Sequence, residues 1–317
     1  MIEINHVSMN FNKKGIGTFE EKDSFKALDQ VSLTIPEGCV YGFLGSNGAG
    51  KSTLMRMMCG VYQTEEGSIK IDGEEVFNNS SAKEKIFFIN DETVQYGDFT
   101  LDELSKYYAS YFPKFSFETY QRLVRRLGLL PDKKMNDFSK GMKRQAIVII
   151  GLSCMTKYLL LDEAFDGLDP AMRKMVKDMI IDEMLDRKAT VIVSSHNIAE
   201  INELCDKAML LHQGKLIFAD EIDEIKAGFR KIQMARKDAC VSLLELHQAG
   251  VDVVKYSSLG SVVQAIIKGN EEEILRKVSG IQTDFTEIVP MTLEEIFIYE
   301  LEARGYGSDI VKNEDIK

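Results

Sequence analysis

The chain has 317 residues, enough for one large α/β domain and a smaller second one, each burying its own core. Its formal net charge of -11 excludes a protein that works mainly by gripping nucleic-acid backbones, so no nucleic acid partner is expected. Five scattered cysteines, an odd number without C-x-x-C spacing, exclude a disulfide frame and read as buried or free thiols. The first residues, Met1 to His6, lack the basic start and apolar core of a secretion signal, and the most apolar window, Ala146 to Cys154, falls short of the roughly 18 residues a spanning helix needs. The expectation is a cytoplasmic protein that reaches a membrane only through a partner.

In chain order, Ile2 to Phe11 alternates loosely and Ala27 to Ile35 again has strand character, with Asn12 to Lys26 reading as a lengthened surface loop. Phe11 is a candidate to stack on an adenine ring, an ordinary core or edge aromatic being the equal alternative. The apolar run Val40, Tyr41, Phe43, Leu44 then leads into Gly45-Ser46-Asn47-Gly48-Ala49-Gly50-Lys51-Ser52, followed by Thr53. This G-x-x-x-x-G-K-S spacing, between a strand and a helix, is a phosphate-binding loop. Its glycines take positive φ and let backbone N–H groups approach an oligophosphate, Lys51 reaches the β- and γ-phosphates, and Ser52 offers a hydroxyl to Mg²⁺.

A helix over Ser52 to Cys59 closes at Gly60. Glu66-Gly67 and Asp72-Gly73 read as hairpin turns around Ser68 to Ile71, and Ile86 to Ile89 is a short buried strand ending in Asn90-Asp91-Glu92. Thr100 and Glu103 form a capping-box signature for a helix whose Leu101, Leu104, Tyr108 and Tyr111 recur on one face, with Pro113 beyond its end. A second helix over Phe117 to Leu127 stops at Gly128. Ser139-Lys140-Gly141-Met142 opens a third, either as an ordinary N-cap or as a second anion site. Residues of about 97–155 thus form a helical insertion in an α/β frame. Tyr158 to Leu161 is an apolar strand ending in Asp162-Glu163, continued by Ala164-Phe165-Asp166-Gly167-Leu168-Asp169-Pro170, and Thr190 to Ser194 is another, ending at Ser195-His196. The carboxyl end of a strand is where open α/β sheets place ligands.

Taken together and in this order, these segments make residues 1–220 resemble the nucleotide-binding subunit of ATP-binding cassette (ABC) transporters. Gly45 to Ser52 matches the Walker A loop, Tyr158 to Glu163 Walker B, Asp166 to Asp169 the D-loop, and His196 the switch histidine. Ser139 and Gly141 retain the signature loop, usually L-S-G-G-Q, from which Phe138, Lys140 and Met142 depart. Asp91 or a neighbour stands where the family has a metal-contacting glutamine. The segment Pro290 to Phe297 is similar to the C-terminus of the ABC-2 type subgroup, with its YtrB- and bacitracin-export-like subunits.

The resemblance implies a P-loop NTPase cassette with a RecA-like parallel sheet, an antiparallel β subdomain and the helical insertion, using ATP and Mg²⁺. It implies that Asp162 holds the metal, with Asp91 as a further candidate ligand, that Glu163 orients or deprotonates the attacking water, and that His196 senses the γ-phosphate. Ser139, Gly141 and Met142 would cover ATP held by a second copy or a paralogous subunit facing it head to tail. The implied function is ATP hydrolysis driving export through separate membrane-spanning subunits, which hold the chain at the inner face of the membrane. The alternative is a soluble ABC-type ATPase acting on ribosomes, DNA or another complex, although such proteins usually carry two cassettes or a long coiled-coil insertion.

Residues 221–317 change character: strands at Lys231 to Ala235, Val251 to Tyr256, Val262 to Ile267 and Thr283 to Ile288, and helices at Val241 to His247, after Asn270 and after Thr292, suggest a small α+β, ferredoxin-like module. Residues after Gly305 read as a frayed tail.

Overall fold

The computed structural model describes residues 1–12, 24–90, 98–237 and 239–306. They divide into two compact units, Met1–Ala219 and Asp220 onward. In the first, strands β1 (Ile2–Asn12), β2 (Ser24–Ile35), β4 (Glu66–Ile71) and β5 (Glu74–Glu75) form an antiparallel sheet in the order β2-β1-β4-β5. A six-stranded sheet has the order β10-β9-β3-β8-β7-β6, from β3 (Val40–Leu44), β6 (Ile86–Ile89), β7 (Tyr158–Asp162), β8 (Thr190–Ser194), β9 (Lys207–His212) and β10 (Lys215–Glu221). Strand β8 is parallel to both β3 and β7, so the three segments that leave their carboxyl ends emerge side by side. Such a strand is covered on both faces and must be apolar throughout; Leu159, Leu160 and Leu161, with Val191, Ile192 and Val193, are accordingly buried.

The helices start and stop where their end chemistry dictates. Helix α1 (Lys51–Met58) follows the glycine loop, and the one-turn α2 (Ser80–Lys83) is capped by Asn79. Thr100 caps α3 (Leu101–Tyr111) through a reciprocal pair, its hydroxyl accepting from the Glu103 N–H at 3.2 Å and its own N–H donating to the Glu103 carboxylate at 2.8 Å. Helix α4 (Phe117–Leu127) runs from its cap Ser116 to a left-handed Gly128, turning Tyr120, Leu123 and Val124 inward. It packs on α5 (Lys140–Ser153), and Arg122 and Arg126 on its outer side reach Glu183 and Asp182 of α6 (Pro170–Arg187). The short α7 (Ile198–Leu204) completes this unit.

Three local expectations change. The strand after the first loop begins at Ser24, because Ser24, Phe25 and Lys26 pair with Asn12, Phe11 and Asn10; of the expected surface loop, residues 13–23 lie outside the described ones. Glu66-Gly67 lies inside β4, where Gly67 (φ +78°) faces a bulge in β1 and a Cβ would come within 2.2 Å of the Asn5 carbonyl. Tyr111 does not share the buried face of Leu101 and Leu104: it is 60 % exposed and leans on Tyr107.

The second unit holds α8 (Ile222–Ala227), β11 (Phe229–Ala235), α9 (Leu243–Gln248), β12 (Val253–Leu259), β13 (Val262–Lys268), α10 (Glu271–Val278), β14 (Phe285–Pro290) and α11 (Leu293–Ala303). The sheet order β12-β13-β11-β14, antiparallel throughout, is the split βαβ arrangement. Alternation places Ile232, Met234, Val263, Ala265 and Ile267 on one face, against Leu246 of α9 and Ile274 of α10. Helices α10 and α11 start as expected after Asn270 and Thr292, each accepting from the N–H three residues on, whereas α9 starts two residues later than the periodicity suggests because Ser242 is its cap, and β12 and β14 also begin two residues later. The tail after residue 306 lies outside the described residues, among which no helix is long and apolar enough to cross a membrane.

Asp72, in the β4–β5 turn, fastens the antiparallel sheet to the parallel one. Its carboxylate accepts from the Tyr158 hydroxyl at 2.7 Å and from Lys157 Nζ at 2.9 Å, and the Met1 ammonium adds a third donor. Burial pushes its pKa up, but these donors outweigh that and hold it well below the ordinary carboxylate range. Because the folded value lies below the unfolded one, its contribution is complete at neutral pH and is lost as pH falls through the carboxylate range. Asp72→Asn keeps a residue that tolerates the local φ of +53° and removes only the charge. Denaturant melts should show a loss of about 1–2 kcal/mol at pH 7, with the gap to wild type narrowing below about pH 4.

Candidate functional site

The glycine-rich loop joins β3 to α1, and Gly45, Gly48 and Gly50 have φ of +153°, +79° and +107°. At Gly45 a Cβ would lie 2.3 Å from the Leu211 carbonyl oxygen, and at Gly50 2.5 Å from that of Ala27; at Gly48 it would meet nothing within 4 Å among the described residues. Two of the glycines thus serve close packing of the loop against its own sheet neighbours, while the third faces open space. Ser46, Asn47 and Gly48 form an exposed rim over the buried Ala49, with Ser52 and Thr53 half-buried behind it. Lys51 is 4 % exposed, and its ammonium donates to the Gly45 and Ser46 carbonyls at 2.7 and 3.2 Å. Burial lowers its pKa, an effect opposed by the negative charges of Glu163 and Asp162.

Asp162 ends β7 and is 1 % exposed. The Ser194 hydroxyl donates to its Oδ1, whereas Oδ2 is buried and has no hydrogen-bond partner among the described residues. A buried carboxylate oxygen left in this state calls for a counterpart, and a carboxylate together with a hydroxyl of the glycine-rich loop is the hard-oxygen donor set that Mg²⁺ takes. Asp162 and Ser52 therefore fit such an ion; Asp91, the third candidate ligand, lies outside the described residues.

Glu163 has a left-handed backbone (φ +47°), held by its N–H donating to the Ser194 carbonyl at 3.2 Å. Its Oε1 is 3.7 Å from Nδ1 of His196, and Asp166 brings a further carboxylate, so that one ligand atom from each of the three lies within 4.8 Å of the others. The His196 ring is half exposed, but its loop is anchored: the Ser195 hydroxyl donates to Glu200 at 2.7 Å and accepts from the Asn197 N–H at 3.0 Å. Glu200 in turn pairs with Lys177 of α6 at 3.3 Å.

The strand order β3-β8-β7 thus gathers the loop, Asp162, Glu163 and His196 at one sheet edge. Ser139, Gly141 and Met142 lie elsewhere, at the start of α5. The exposed Ser139 caps its own helix through the Met142 N–H at 3.2 Å, and a Cβ at Gly141 would lie 3.7 Å from Leu168. Phe138, where the family signature has leucine, is 4 % exposed and fills a core position. Phe11, on β1, meets the ring of Tyr62 edge-on at 5.6 Å. Sequence reasoning missed Ser194, whose signal is a hydroxyl closing an otherwise apolar strand; Asp169, already placed in the D-loop segment, also caps α6 by accepting from the Met172 N–H at 3.0 Å.

Comparison with known proteins gives one consistent answer. The sequence profile of the family described as ABC transporter matches residues 28–166. The chain is 28 % identical to the ABC transporter ATP-binding protein YtrB of Bacillus subtilis, over 87 % of this chain and 93 % of that protein. It is 31 % identical to the bacitracin transport ATP-binding protein BcrA of Bacillus licheniformis, over 75 % and 82 % of the two chains. A solved dimeric ATP-binding cassette, bound to ADP and Pi, has the same fold with a TM-score of 0.61 at 18 % identity, covering 70 % of this chain and 99 % of that one.

The loop packing separates the three glycines experimentally. Gly45→Ala and Gly50→Ala each force a side chain against a carbonyl and should lower thermal stability and ATP affinity together. Gly48→Ala carries only the positive-φ penalty of about 1 kcal/mol and should melt closest to wild type; equal losses at all three positions would contradict the packing roles.

Proposed function

The chain belongs to the ABC transporter family as an ATP-binding, ATP-hydrolysing subunit, and from that premise we propose how its residues divide the work. The observation that carries the proposal is the grouping of the Lys51 loop, the half-satisfied Asp162 and the Glu163–His196 pair on three adjacent strands. Loop amides and Lys51 hold the β- and γ-phosphates, the lysine exchanging its two carbonyl partners for phosphate oxygens. Ser52 and Asp162 Oδ2 would hold Mg²⁺, which when bound would supply positive charge against the phosphates. Glu163 orients the attacking water and takes its proton; His196, poised on the same carboxylate, contacts the γ-phosphate. Phe11 offers a ring face for adenine.

The dimer completes the site. Ser139 is exposed at the start of a fourteen-residue helix and satisfies only the Met142 N–H, so the remaining amides of that turn, with Gly141, are available to the γ-phosphate of ATP bound by a second copy or a paralogous subunit. ATP closes this pair, and loss of the γ-phosphate opens it. The insertion presents Phe99, Tyr107 and Tyr111 as exposed aromatics, a surface suited to a cytoplasmic helix of a membrane-spanning partner that holds the chain at the inner face of the membrane. Likeness to a bacitracin transport subunit supports a role in transport, and export is the direction proposed. The same likeness disfavours a soluble ATPase acting on ribosomes or DNA.

Two substitutions test these roles. Lys51→Ala should weaken ATP binding at least about tenfold, since it removes the only cation of the loop. Glu163→Gln should keep that affinity, reduce turnover by about 10²- to 10⁴-fold and accumulate an ATP-dependent dimer by size-exclusion chromatography. Unimpaired turnover in Glu163→Gln would remove that carboxylate from the base role.

A further inference from the structure

A cavity of about 630 Å³ opens at the opposite end of the parallel sheet from the nucleotide loop, where Lys157 leads into β7 and Ala189 into β8. Its charged lining is Glu37, Lys114, Lys157, Arg187 and Lys188. Glu37 is held by Lys157 at 2.8 Å, and Lys157 is held again by Asp72 at 2.9 Å, so those charges are matched. Lys114, Arg187 and Lys188 have no carboxylate in ion-pair contact among the described residues. In a chain of net charge -11, this cavity carries the opposite sign.

Arg187 makes the arrangement more than a patch of surface lysines. Its Nη1 donates to the Leu152 carbonyl and the Met155 sulfur, both at 3.2 Å, and its Nη2 to the Met184 sulfur at 3.1 Å, while its Nε is buried without an acceptor among the described residues. Thioethers are weak acceptors for a guanidinium. Glu183, the carboxylate within its electrostatic reach, is bound by both terminal nitrogens of Arg122. Burial accordingly lowers the pKa of Arg187, an effect that Glu183 only partly offsets. A part-buried fork of donors supplied with poor acceptors, flanked by two unpaired ammonium groups, is the donor set that planar oxyanions satisfy.

We propose that this cavity is a binding site for a phosphate-bearing anion, with Arg187 as its floor and Lys114 and Lys188 at its mouth. The ligand would join the end of α6, the turn after α5 and the segment entering α4, and so tie the helical insertion to the core at a point remote from ATP. The source of the phosphate, a free anion or a lipid headgroup, is separable by experiment.

The test uses the full chain carrying Lys51→Ala, which suppresses binding at the nucleotide loop. Calorimetric titration with inorganic pyrophosphate, and flotation with phosphatidylcholine vesicles with and without phosphatidic acid, are compared before and after adding Lys114→Glu and Lys188→Glu. Both lysines are exposed, so the fold tolerates these changes; Lys237→Glu with Lys277→Glu, in the second unit, alters net charge equally and serves as control. The expected result is retained binding of one probe, lost at least tenfold on reversing Lys114 and Lys188 and unchanged in the control. Pyrophosphate binding would identify a free anion, and vesicle binding that requires phosphatidic acid a headgroup. Arg187→Lys, which keeps charge but removes the fork, should weaken the same probe. Binding of neither probe, or equal losses in the control, overturns the site. Failure of Lys51→Ala itself to reduce ATP binding would count against the loop assignment and leave the comparison at Lys114 and Lys188 intact.

Discussion

The site is built on two charges that the fold removes from water. Lys51 and Asp162 are each almost wholly buried, at the carboxyl ends of strands separated only by β8. Burying either alone would be expensive, and neither is neutralised by direct contact among the described residues: the lysine is held by two carbonyls, the aspartate by one hydroxyl. What remains unsatisfied is one donor-rich cation and one carboxylate oxygen. An oligophosphate with its divalent cation would supply both missing counterparts, and on the proposed roles of these residues the charged pair would be stabilised by the substrate itself.

That arrangement constrains the strands beneath it. Parallel pairing of β8 with β3 and β7 fixes the spacing of the loop, the acidic pair and the histidine, and pairing in register demands continuous apolar runs with no room for polar error. The polar residues that do occur lie at the strand ends. Ser194 illustrates the point: its hydroxyl orients Asp162, and its carbonyl holds the backbone of Glu163 in a left-handed turn that no unconstrained glutamate would favour. One residue of β8 thus positions both acidic groups of β7.

Most of this was legible in the sequence because the signals are local. A glycine-lysine-serine loop after an apolar run, a strand closing in two acids, and caps such as Thr100 with Glu103 each specify geometry within a few residues. The misreadings are where local chemistry yields to long-range pairing. Glu66-Gly67 has turn composition, yet the β1 bulge opposite recruits the glycine into the sheet. Tyr111 has the right spacing for the buried face of α3 but lies one turn beyond the core that covers Leu101 and Leu104. Ser194 and the cation cavity around Arg187 were invisible because each depends on residues far apart in the chain.

The signature segment shows how departure from a family pattern can leave its physical task intact. Phe138 replaces a leucine but points inward, so the substitution is a matter of core volume. Lys140 stands where glycine is usual; its side chain lies near Gly167, whose positive φ and missing side chain leave room for it, within 3.5 Å of where a Cβ would stand. Of the two retained residues, Ser139 caps the helix, while a Cβ at Gly141 would make ordinary contact with Leu168 at 3.7 Å, so the packing within the chain does not itself require glycine there. On the proposed role, what persists is the part that would expose backbone amides to an anion, and what varies is the part that packs behind them.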